Sequence, residues 1–183
     1  MRLILVLILI SFSSKSFASI KNDLIKKMSK IDNFSFAFEQ NINEKKETGK
    51  CTISFNKKIF CKYDFNNKIL VSNGKKLFIK NSGTNFSSIY DINQTYFVYI
   101  LNKEYILLKL KNHKQNFKKK NGKIFVRFNE GDFQITLFFD SKNYLLNGWF
   151  TKDLYGNDIK TYIDIKKINY EFSDDIFEIK NYN

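Results

Sequence analysis

The chain has 183 residues and a formal net charge of +13, from 31 Lys and Arg against 18 Asp and Glu. That length suffices for one domain with a substantial core, and the one histidine and two cysteines stand in no metal-ligand spacing. A basic balance of this size raises nucleic-acid binding, but the lysines are spread along the chain and the densest run, "FKKKNGK" (117–123), has the form of a hairpin turn; no nucleic-acid partner is expected.

The opening "MRLILVLILISFSSKSFAS" sets Arg2 before the apolar run Leu3 to Ile10, with small residues at Ser16 and Ala18. This is the form of a secretory signal peptide over residues 1–18, too short to span a bilayer. A single mature domain over 19–183 is expected, exported to a space where disulfides persist. "SIKNDLIKKMSKID" carries Ile20, Leu24, Met28 and Ile31 at helical spacing, with Ser19 as N-cap. In "NFSFAFEQNI", Phe34, Phe36 and Phe38 alternate with Ser35, Ala37 and Glu39, a strand pattern.

Both cysteines lie in "CTISFNKKIFC". Cys51, Ile53 and Phe55 alternate with polar residues, Ile59 and Cys61 resume the alternation, and Asn-Lys-Lys joins the two runs as a hairpin turn. If Ile53 faces Ile59, Cys51 falls opposite Cys61, within reach of a disulfide. Two buried free thiols are the alternative; export favours the Cys51–Cys61 bond. "KILVSNGKKLFIKN" is a second hairpin turning at Asn73-Gly74, and "NFSSIYDI" continues the meander.

The period then changes. "QTYFVYILNKEYILLKLKN" spaces Phe97, Ile100 and Leu101, then Tyr105, Leu108 and Leu110, as one or two short helices would. Strands resume with "KIFVRFN", "DFQITLFFD", "YLLNGWF" and "DIKTYIDI", and "DIFEIKN" follows as a last short apolar piece, a terminal strand. The order is a helix, about five strands, a helical insertion and four to six more strands. Such a meander curls, and a half-barrel with helices over its open face covers one side.

Catalysis finds no support. His113 sits in the lysine-rich "KNHKQN", Asp174 and Asp175 adjoin the terminal strand as solvated carboxylates, and there is no phosphate loop, GxSxG or metal-spaced cluster. No catalytic residue, metal or cofactor is expected. What the chain has is aromatic surface, with 20 Phe and 10 Tyr; one face of a curved sheet lined this way suits an apolar ligand.

At this point the sequence resembles a family. "FSFAFEQ" after an amphipathic helix, a hairpin begun at Gly49, "YDFNNKILVSNGKKLFIKN", and the closing "TKDLYGNDIKTYIDIKKINYEFSDDIFEIK" are similar in order to the outer-membrane lipoprotein carrier protein (LolA) family. Phe38, Gln40, Gly49, Ile69 to Ser72, Gly74, Asp153, Leu154, Gly156, Asn157, Asn169 and Phe177 fall on matching positions. Phe55-Asn56 stands where that family commonly has Arg-Pro, whose arginine is implicated in holding the lid to the barrel, and Phe78 replaces a tryptophan.

The resemblance implies a mainly β fold with α, an unclosed antiparallel β-barrel (a strongly curved sheet) whose N-terminal helix and helical insertion form a lid. It implies a monomeric periplasmic carrier that takes acylated lipoproteins from an inner-membrane lipoprotein-releasing ABC transporter to an outer-membrane lipoprotein acceptor. A related lipid- or lipoprotein-binding or sensing protein is the alternative. The lipid-binding face it implies comprises Phe36, Phe38, Ile53, Phe55 and Ile59 from the strands, and Phe97, Ile100 and Leu101 from the insertion acting as lid.

Overall fold

The computed structural model describes residues 15–65, 67–112, 117–152 and 156–182. The expected leader up to Ser14, His113, and Asp153 and Leu154 of the resemblance lie outside them.

Six strands precede the helical insertion: β1 (Asn33–Ile42), β2 (Lys45–Ser54), β3 (Lys58–Tyr63), β4 (Lys68–Asn73), β5 (Lys76–Asn81) and β6 (Phe86–Asp91). Five follow it: β7 (Lys118–Lys120), β8 (Lys123–Glu130), β9 (Phe133–Asp140), β10 (Leu146–Lys152) and β11 (Asp158–Ile168). They form one sheet in the order β6-β5-β4-β3-β2-β1-β11-β10-β9-β8-β7. Every strand pairs antiparallel with its neighbours.

This order follows from hairpins. Each meander grows outward by tight turns, and the two are joined at the centre where β1 pairs β11 from Phe34↔Ile168 to Ile42↔Ile159. The free edges are therefore β6 and β7, consecutive strands between which the insertion is placed. The barrel stays unclosed at that gap. β7 is three exposed lysines, a composition that discourages further pairing.

The helices are α1 (Lys15–Ser29), α2 (Phe97–Ile100) and α3 (Lys103–Asn112). α1 starts before the expected Ser19 cap; Ser19 lies inside the helix, where its hydroxyl donates to Asp23 at 3.3 Å. α1 packs on α3 through buried Leu24, Met28, Ile106 and Leu110. A single core cluster joins these residues to Phe34, Phe36 and Phe38 of β1, Leu77 of β5 and Ile124 and Val126 of β8. Residues from far along both meanders share it, so the sheet curls around the helices.

The expected terminal strand is not one. "DIFEIKN" forms two 3-10 turns, Asp174–Phe177 and Ile179–Asn181. Ser173 caps the first by accepting from the Asp175 N–H at 3.3 Å, and Tyr182 stacks on Phe60 at 5.3 Å. The segment packs on β3 and β4. On that convex side Val71 and Phe78 point outward yet are buried.

Candidate functional site

The alternation in β1 sends Phe34, Phe36, Phe38 and Gln40 to the concave face, where all are buried. Register carries the same face across the sheet. Phe34 lies opposite Ile53, Phe36 opposite Cys51 and Phe38 opposite Gly49; Cys51 in turn faces Cys61, and Ile53 faces Ile59. Cys51 and Cys61 are joined by a disulfide, with Cα atoms 4.1 Å apart. Leu70 comes next to Cys61 on β4. The floor is thus aromatic, aliphatic and sulfur, with no charge near its middle.

Phe36, Phe38, Ile59 and Phe97 of the expected face line one apolar cleft, together with both cysteines, Tyr63, Leu70, Gln40, Trp149 and Thr161. Ile53 and Phe55 of the hairpin and Ile100 and Leu101 of the lid are buried in the packed core instead; Phe55 meets Phe34 at 5.7 Å between ring centres. The cleft has a volume of about 10 Å³, room for about one water. Ligand pockets for small molecules run from roughly 300 Å³ upward, so the cleft as it stands is closed to a ligand of that size.

One end of the floor is polar. Trp149 on β10 faces Thr161 on β11, Thr161 faces Gln40 on β1, and Gln40 faces Glu47 on β2. The Thr161 hydroxyl donates to Gln40 Oε1 at 3.2 Å. Lys68 Nζ reaches Glu47 at 2.8 Å and lies 4.2 Å from the centre of the Tyr63 ring. Burial opposes ionisation of Glu47, but the hydrogen bonds and charges of Lys68 and Lys45 together outweigh it and hold the carboxyl below its ordinary value. Burial pushes the Tyr63 phenol far above its own, so it stays neutral. Sequence reasoning missed this belt and the cleft residues Tyr63 and Leu70. Tyr63 and Leu70 were within reach, since the Cys61 face includes Tyr63 by alternation. The belt was not, because it spans strands far apart in the chain.

The lid is tied at the other end, where the family's arginine position is Phe55-Asn56. Asn56 forms a β-bridge with Asn102, and the Lys57 N–H donates to the Leu101 carbonyl at 3.2 Å. Lys103 pairs with Asp32, whose carbonyl accepts from the Phe55 N–H at 3.0 Å. These residues border a polar groove of about 510 Å³. Asn169, at φ 50°, anchors the same end: its side chain accepts from the Asp32 N–H at 2.8 Å and donates to the Lys30 carbonyl at 2.7 Å.

Among the described residues no three His, Cys, Asp or Glu side chains group as a metal site, and no helix is long and apolar enough to cross a membrane.

No protein-family model matches the sequence, and no curated protein matches it. Solved structures do. An outer membrane lipoprotein-sorting protein domain from Vibrio parahaemolyticus is similar over 90% of this chain and 98% of its own, with a TM-score of 0.52 at 7% identity. A LolA superfamily protein from Nitrosomonas europaea covers 86% of this chain and 97% of its own, with a TM-score of 0.43 at 9% identity. The Mycobacterium tuberculosis lipoprotein LppX covers 88% and 99%, with a TM-score of 0.47 at 13% identity. The likeness is one of fold, and the Vibrio domain carries it: an unclosed antiparallel sheet with helices in its opening.

Proposed function

We propose that this protein is a non-enzymatic periplasmic carrier that shields the acyl chains of lipoproteins, taking them from an inner-membrane releasing transporter to an outer-membrane acceptor. The observation that supports it is the apolar concave face, with Phe36, Phe38, Ile59, the cysteine pair, Leu70 and Phe97 gathered under helices. An acyl chain of about sixteen carbons costs on the order of 10 kcal/mol to leave in water, at ~0.8 kcal/mol per methylene. A face without charge at its centre covers such a chain and still releases it. The lid is joined to the hairpin by a backbone bridge and to Asp32, just before β1, by an ion pair, contacts few enough to part when cargo enters.

The test is purification from the exported fraction followed by mass spectrometry of what accompanies the protein. Acylated lipoproteins or their N-terminal peptides are the expected finding. Free phospholipid in their place would assign the cavity to another lipid cargo, and the absence of any lipid under gentle extraction would overturn the carrier.

A further inference from the structure

Among the described residues, the Trp149 indole Nε1 is a buried side-chain donor with no hydrogen-bond partner. The tryptophan is in the cleft. It is 3% exposed, and its ring meets Phe36 edge-on with centres 6.3 Å apart. A donor buried without an acceptor costs stability that phenylalanine in its place would not. Packing against Phe36 explains an aromatic ring there; it does not explain an N–H.

We propose that the Trp149–Thr161–Gln40 end of the floor is a recognition site for the carbonyl of an ester-linked acyl chain. The inference rests on the carrier reading and adds the orientation of its cargo. Trp149 Nε1 donates to the carbonyl oxygen, which has no proton to offer and so matches a lone donor. Thr161 and Gln40, already bonded to each other, supply polar neighbours. The hydrocarbon then runs the other way, past Phe36 and the cysteine pair toward Leu70 and Phe97.

The experiment compares monopalmitoylglycerol with its ether analogue hexadecylglycerol, which differs at the carbonyl. Affinities are read by displacement of an apolar fluorescent dye, and the chain's one tryptophan reports its own environment by emission. The ester should bind about threefold to tenfold more tightly than the ether, the range of one net hydrogen bond, and only the ester should shift Trp149 emission toward the hydrogen-bonded indole. In W149F the ratio should fall to about one. If W149F fails to fold by circular dichroism, the emission difference in the unaltered protein decides. Equal affinities with equal emission overturn the carbonyl site and leave the carrier standing. Dye that neither lipid displaces overturns both.

Discussion

Gly49 and Gly148 each lie beneath an aromatic ring, Phe38 on the concave face and Phe138 on the convex one. A Cβ on Gly49 would meet the Lys62 carbonyl at 2.4 Å and Phe38 Cε1 at 2.8 Å; on Gly148 it would meet the Thr161 carbonyl at 2.1 Å and Phe138 Cζ at 2.4 Å. Backbone cannot give way as a side-chain tip can. Gly49→Ala should therefore destabilise by about 1–3 kcal/mol, measured as a lower denaturant midpoint with an unchanged slope. Glu47 makes a second residue-scale case. Its folded pKa lies below the ordinary 4.5, so its stabilisation is present above that value and fades as pH falls through the folded one. Glu47→Gln should lower the melting temperature at neutral pH, and the gap from the unaltered protein should close in acid. A gap of equal size at both ends would show that the ion pair contributes nothing.

Under the proposed carrier function, the element that governs access to the cleft is the α2–α3 lid. Asn102 ties it down: it bridges to Asn56 and caps α3 by accepting from the Tyr105 N–H at 3.0 Å. Asn102→Ala removes the cap at a cost of about 0.5–2 kcal/mol. Hydrogen exchange should quicken across α2 and α3 while β8 and β9 stay protected, and uptake of an apolar dye should speed. Uniformly faster exchange in sheet and lid alike would mean that the helices open only with the whole domain. The backbone bridge also answers the departure at Phe55-Asn56. The lid meets that hairpin without an arginine, through main-chain groups, and Lys103 pairs with Asp32, whose carbonyl accepts from the Phe55 N–H.

At the scale of the molecule, the sheet has one seam, between β6 and β7, and the disulfide sits on the wall leading to it. Closing so short a loop contributes roughly 3 kcal/mol by chain entropy. Made with residues 1–18 and recovered from the exported fraction, the protein should show no reactive thiols on denaturation; a form begun at Ser19 and kept in the cytoplasm should show both, and reduction should lower stability by about that amount. Two reactive thiols in the exported protein would refute the bond in the cell. Dye binding should also survive about 0.5 M salt, since apolar burial is little screened whereas contacts between exposed charges are; loss with salt would move binding to the lysine-rich exterior.

Much of the architecture was determined by local pattern, because strands with one buried face must alternate. Phe34, Phe36 and Phe38 announced β1, and Ile53 opposite Ile59 set the register that brings Cys51 to Cys61. The change of period after Thr95 marked the insertion. Local pattern misled where it fits more than one structure: "DIFEIKN" alternates like a strand but caps the convex face in 3-10 turns, because Val71 and Phe78 need cover that only the assembled sheet reveals. The Trp149–Thr161–Gln40 belt belongs to tertiary structure alone. It exists because β10, β11 and β1 are paired in one register, and β1 meets β11 across more than a hundred intervening residues. The size of the cleft is of the same kind: alternation says which side chains face inward, but how much space remains between them depends on how tightly the sheet curls around its helices.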